Sequence, residues 1–192
     1  VVFPGAPQGG LHDTGCAVPD KPSVVKVAMP STQKADGTWT IGYQVTVSNA
    51  SAIQLAYDLD DTPAALPGDL IPVGPWTATD PDGIADPLWN GDDVTALATG
   101  VLEPMSDYTF TVTRVVSIPA NVGDDALDCE DGGIWNTATI TNGAGGNESE
   151  DCADIDRPSV SIEKEETGTA QNSDGSWTIT YDVTVINLSD EW

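Results

Sequence analysis

Thirty-one carboxylates, one histidine and three cysteines carry most of the chemistry that this 192-residue sequence can perform. The carboxylates gather in runs: Asp58, Asp60 and Asp61; Asp80, Asp82 and Asp86; Asp92 and Asp93; Asp124, Asp125 and Asp128; then Glu148, Glu150, Asp151, Asp154 and Asp156. Calcium takes several oxygen ligands from flexible loops, so Asp80, Asp82, Asp86, Asp154 and Asp156 are candidate metal ligands, the last two just ahead of a linker at Arg157-Pro158. Asp80-Pro-Asp-Gly has neither the remaining ligand spacing nor the closing glutamate of a calcium loop. Solvated acidic loops account for the same residues, and no cofactor is required.

Catalytic constellations are absent from the sequence. The single histidine, His12, leaves Ser-His-Asp and Cys-His schemes without a well-placed base. GxSxG, a phosphate-cradling glycine loop and HExxH are all missing. Paired carboxylates are what glycoside hydrolysis needs, but carboxylates this abundant single out no pair, and the expectation is a protein that is not an enzyme. Six Lys and Arg against 31 Asp and Glu give a formal net charge of −25. Such a field repels nucleic acids and anionic lipid, whose recognition depends on clustered cations. No apolar run approaches the roughly 18 residues of a membrane span.

The positioning elements follow from an internal repeat. Residues 20–49, DKPSVVKVAMPSTQKADGTWTIGYQVTVSN, return at 156–187 as DRPSVSIEKEETGTAQNSDGSWTITYDVTVIN, with two added residues. Pro22 and Pro158, and independently Cys16 and Cys152, define one period of 136 (158 − 22 and 152 − 16). The repeat predicts the tail of one unit at 1–20, a complete unit at 21–157 and the opening of another at 158–192, and the expectation is a section of a longer polypeptide.

Within each copy, Asp36-Gly37 and Asp174-Gly175 signal hairpin turns. Strict alternation follows, with Trp39, Ile41, Tyr43, Val45 and Val47 on one face, and Trp177, Ile179, Tyr181, Val183 and Val185 in the second copy. Further strands are expected over 53–59, 108–118 and 134–141, with Arg114 interrupting the apolar face of the second. No window reads as an amphipathic helix. The fold class is therefore all-β: immunoglobulin-like, Greek-key β-sandwich repeats in tandem. Residues 64–100 resist assignment; Trp76 and Trp89 there are core anchors or ligand platforms.

The order PSV–K, DGxWTIxYxVTVxN, YDLDDTP, LWNGDD, YTFTV and WNTATIT resembles the conserved-repeat domains of bacterial and archaeal surface proteins, which are similar in architecture to isopeptide-forming fimbrial domains. The resemblance covers 21–157 and the opening of the next copy. It implies an extracellular or cell-surface protein strung as beads in stalks, adhesins or filaments. An odd cysteine count then follows from the repeat: Cys129 and Cys152 fall in one unit and are expected to pair, while the partner of Cys16 would precede Val1.

Fimbrial domains of this type join a lysine on the first strand to an asparagine near the end through a buried carboxyl. The resemblance thus implies Lys26, Asn136 and Asp61 as a candidate isopeptide set. Parity supports it in part: Asn136 shares a face with Ile134, Ala138 and Ile140, and Asp61 with Tyr57 and Leu59. Lys26 falls with Val24 and Ala28, whereas Val25, Val27 and Met29 form the more apolar set. A solvated Lys26 and a hydrogen-bonded core Asn136 fit the same pattern. Asn49, Asn147 and Asn187 begin glycosylation triplets.

The expected function is a structural repeat of an extracellular stalk, filament or adhesin, acting as a stiff spacer. Its partners are adjacent repeats or like subunits in a fibre. The rival is a module that grips a glycan or host protein through the Trp76 and Trp89 region.

Overall fold

The computed structural model describes residues 20–158 and 160–188. His12 and Cys16 lie outside them, as does nearly all of the segment 1–20. The chain is mostly β-strand: β1 (Ser23–Gln33), β2 (Trp39–Asn49), β3 (Leu55–Pro63), β4 (Ile71–Pro72), β5 (Thr77–Thr79), β6 (Ala96–Leu102), β7 (Ser106–Ser117), β8 (Ile134–Asn142), β9 (Gly145–Ala153), β10 (Val160–Gln171) and β11 (Trp177–Asn187), with one 3-10 turn at Asp124–Ala126.

Every pairing is antiparallel. One sheet runs β1-β2-β7-β4, with β5 also on β7; a second runs β6-β3-β8-β9; β10 and β11 pair with each other. The first two sheets enclose one apolar core. β2 supplies Trp39, Ile41, Tyr43, Val45 and Val47, β7 supplies Phe110, Val112 and Val116, and the opposing layer supplies Tyr57, Leu59, Leu97, Leu102, Ile134 and Ile140. Alternate residues turn inward because successive strand side chains point to opposite faces.

The β1–β2 turn forms where the sequence signals it. Gly37 takes φ +84°, a region that costs glycine nothing, and Asp36 Oδ1 accepts from Thr38 N and Oγ1 at 3.0 and 2.6 Å. Asp174, Gly175 and Ser176 repeat this turn between β10 and β11.

Residues 145–153, which read as an acidic loop in the sequence, are strand β9. β9 joins the two sheets through side chains. Asn147 Oδ1 accepts from Val24 N at 3.0 Å and its Nδ2 donates to Val24 O at 3.1 Å. Ser149 Oγ accepts from Lys26 N at 3.0 Å, and Asp151 Oδ2 from Ala28 N at 2.7 Å. The free edge of β1, whose amides would otherwise lack partners, is thus covered by every second residue of β9.

The 64–95 segment folds over the core rather than away from it. Trp76 and Trp89 are both buried, which makes them core anchors and removes them as exposed ligand platforms. Gly91 (φ +69°) lies so close to Trp76 that an added Cβ would stand 2.8 Å from its ring. Arg114 lies over the same ring, 5.6 Å from its centroid, and forks onto Asp92 with two contacts of 3.2 Å. Its place on an otherwise apolar strand face is explained by this lid.

Candidate cross-linking site

β1 carries Lys26 into the core against the apolar logic of its own sequence. Val25 and Val27 are 55% and 51% exposed, while Val24 and Lys26 are 2% and 3% exposed. The more apolar parity of β1 therefore faces out. Pairing fixes this: Lys26 stands opposite Val45 and Val24 opposite Val47, and directly opposed residues share a face. β2, with five buried apolar residues on one side, decides the orientation for both strands.

Asp61 and Asn136 come from the other sheet, on β3 and β8, and both are fully buried. Asp61 pairs with Ala138 across the ladder, and Asn136 lies two residues along the same face. Just before Asp61 the β3–β6 register shifts, and the Asp61 amide donates to Thr95 O at 2.8 Å. The Trp89 indole donates to Asp61 O at 3.2 Å, so the long loop seals the site.

Asp61 links the three groups. Lys26 Nζ bonds to its Oδ1, and Asn136 Nδ2 donates to its Oδ2 at 3.1 Å. The Lys26 amine also lies 5.0 Å from the centroid of Tyr43, whose hydroxyl donates to Ile134 O. Among the described residues, Asn136 Oδ1 is buried with no hydrogen-bond donor.

Burial works against both charged forms. Burial lowers the Lys26 amine below its usual range, opposed by the charge and hydrogen bond of Asp61. Burial raises the Asp61 carboxyl, opposed by Lys26 and by the Asn136 hydrogen bond. Desolvation penalises both charges at once, so the proton between them is pushed toward carboxylic acid and free amine. A free amine is a nucleophile, and an acid held on the Asn136 nitrogen can protonate that nitrogen as it leaves. The arrangement is suited to one reaction: Nζ attacks Cγ of Asn136, a C–N amide bond forms, and the side-chain nitrogen departs as ammonia.

The other candidate residues are dispersed. Cys129 and Cys152 form a disulfide with a Cα–Cα distance of 5.9 Å. Asp154 lies beside it, but its Oδ1 accepts the Cys129 amide at 2.7 Å and the sulfurs are bonded to each other, so this trio offers no thiolate to a metal. Asp80 accepts from the amides of Asp82, Ile84 and Ala85, and Asp86 accepts from Leu88 N at 2.8 Å. Asp80, Asp82, Asp86, Asp154 and Asp156 do not converge on a common point among the described residues; Asp80 and Asp86 shape their own loop.

Asn49 does not match the exposed acceptor its triplet suggests. It is buried and donates to Ile53 O, Leu102 O and Glu103 O at 2.8, 3.2 and 2.9 Å, pinning the corner after β2. Asn147 is committed to β1, and Asn187 ends the exposed β11.

Sequence reading did not name Ser149, and it named Asp151, Tyr43 and Trp89 without placing them at this site, where Ser149 and Asp151 hold the β1 backbone around Lys26 and Tyr43 and Trp89 enclose the group. The alternation Asn147, Ser149, Asp151 after the Asn142-Gly143 turn is the signal that identifies β9.

No helix among the described residues is long and apolar enough to cross a membrane. Comparison with protein-family models finds no matching family, and a search of curated proteins finds no significant match.

Proposed function

We propose that residues 21–157 form an immunoglobulin-like structural repeat of an extracellular stalk, filament or adhesin, working as a stiff spacer locked by a Lys26–Asn136 isopeptide bond. The observation that carries this reading is the buried Lys26, Asp61 and Asn136 group spanning two sheets. A buried ion pair is a poor way to stabilise a fold, because desolvation offsets its attraction. A reaction that consumes the amine and the amide explains why three polar groups occupy an apolar interior.

The location suits a load-bearing role. Lys26 lies near the start of the unit and Asn136 on its penultimate strand, so a bond between them would carry tension past β2 to β7 without stretching them. The disulfide supports an oxidising, extracellular setting, and the charge of −25 argues against nucleic-acid partners. The resemblance to surface-protein repeats agrees with both. The binding-module alternative loses its main support, since Trp76 and Trp89 are buried.

Intact-mass measurement tests the reading. With the disulfide reduced, the chain is expected to weigh one ammonia less than its sequence, and Asn136→Ala to have its full calculated mass. A native chain at its unmodified mass would remove the lock.

A further inference from the structure

The β10–β11 hairpin presents an apolar face that nothing among the described residues covers. Val160, Ile162, Trp177, Ile179, Tyr181, Val183 and Val185 are 43–68% exposed, and the pairings Ile162–Val185 and Lys164–Val183 place them on one side. The other side carries Ser161, Glu163, Glu165, Asp182 and Thr184. A strongly two-faced hairpin of this kind is not stable by itself in water, and so large an apolar surface marks a contact site.

β1–β2 shows what covers such a face. Outside the bulge, the two hairpins match pair for pair at an offset of 138 (164 − 26): Val24–Val47 corresponds to Ile162–Val185, Lys26–Val45 to Lys164–Val183, and Gln33–Trp39 to Gln171–Trp177. This differs by two from the 136 separating Pro22 and Pro158, so the added residues lie ahead of Ile162. Their effect is to put Lys164, not Ile162, at the place of Lys26. The resemblance extends to the ring below: Lys164 Nζ lies 3.9 Å from the Tyr181 centroid, as Lys26 lies over Tyr43. In the first unit that face is closed by a layer bearing Asp61 and Asn136.

We infer that Lys164 is the amine of a second cross-link, held on the β10–β11 face for a covering layer that carries a β3-type aspartate and a β8-type asparagine. The inference rests on the reading of the first site. Glu166 stands opposite Tyr181 and so shares this face with Lys164; two ionisable groups beside Ile162, Tyr181 and Val183 are costly to cover unless the covering layer brings polar partners, which excludes a purely apolar occupant. The bond would form as at Lys26: Nζ joins the asparagine Cγ and ammonia leaves, with no other reactant.

The test is a full chain extended after Asn187 by a second copy of residues 50–157, so that β11 runs into β3 as β2 does. The expected product has lost two ammonia molecules, contains a peptide linking Lys164 to the asparagine of the appended copy, and shows Trp177 fluorescence shifted to the blue. Lys164→Arg in this chain is expected to lose a single ammonia while keeping the shift. Loss of one ammonia by the unsubstituted extended chain, with Lys26 linked and Lys164 free, overturns the inference and leaves the first site intact. Loss of none overturns both. A dimer of the unextended chain with Trp177 already buried, and no Lys164 linkage in the extended chain, would make the face a self-association surface instead.

Discussion

Lys26 and Asn136 sit on opposite sheets yet bind the two oxygens of one carboxyl group, that of Asp61. Asp61 thereby brings amine and amide together, and in the proposed reaction it is the group through which their protons would pass. Asp61→Asn preserves shape and removes the acid. The variant is expected to fold, judged by near-ultraviolet circular dichroism, while retaining its full mass. Loss of ammonia from Asp61→Asn would assign the proton transfer elsewhere.

The pH dependence has a particular form. The reactive pair, free amine with carboxylic acid, contains the same number of protons as the ammonium–carboxylate pair. Its population is therefore constant with pH between the two titrations of the coupled site. Below the first, both groups are protonated and the amine cannot attack; above the second, the carboxyl has no proton to give. Because burial raises Asp61 and lowers Lys26, the flat region is narrower than for the free side chains. Chains refolded from denaturant at a series of pH values should release ammonia at a rate that is level near neutrality and falls on both sides. A rate rising steadily with pH would show that Asp61 takes no part.

Removing one member of the buried pair exposes its electrostatic cost. In an Asn136→Ala background, where no bond can form, Lys26→Met should cost about 3–5 kcal/mol, because Asp61 is left buried without its partner. Adding Asp61→Leu should recover much of the loss. Urea unfolding of the three chains measures it; equal stability of single and double variants would contradict the account.

Asn49 is expected to be structural. Asn49→Ala leaves the carbonyls of Ile53, Leu102 and Glu103 without their shared donor and should destabilise the chain by about 1–3 kcal/mol. The corresponding peptide should be free of glycan when the protein is made in a glycosylating host, and a modified Asn49 would be incompatible with its burial.

Calcium should leave the first unit unchanged. Asp80 and Asp86 already serve backbone amides, so thermal midpoints in calcium and in chelator are expected to coincide. A clear rise with calcium would mean that these loops rearrange to bind it.

The strands with strict alternation were legible because a half-buried strand writes its burial into every second residue. β2 is the clearest case, and the 134–141 segment was found nearly whole. β1 shows the limit. Its own pattern favours Val25, Val27 and Met29 as the inward set, and only pairing with β2, a relation between distant residues, turns Lys26 inward. β9 was hidden for a similar reason: its inward residues Asn147, Ser149 and Asp151 meet a backbone edge instead of a core, so its alternation is polar on both faces. The burial of Trp76 and Trp89 depends on how residues 64–95 return over β7, for which a single chain offers no periodic signal. The three members of the candidate site were nameable from resemblance, whereas their shared hydrogen bonding needed the two sheets to be brought together.

The disulfide acquires a different meaning beside the proposed bond. The interval from Lys26 to Asn136 and the interval from Cys129 to Cys152 overlap, so the two closures share the backbone from 129 to 136 as fused rings share an edge. With both present, a protease that cuts once anywhere between Lys26 and Cys152 opens one ring and leaves the ends of the unit covalently attached. A single backbone break inside that stretch would then leave the unit in one piece.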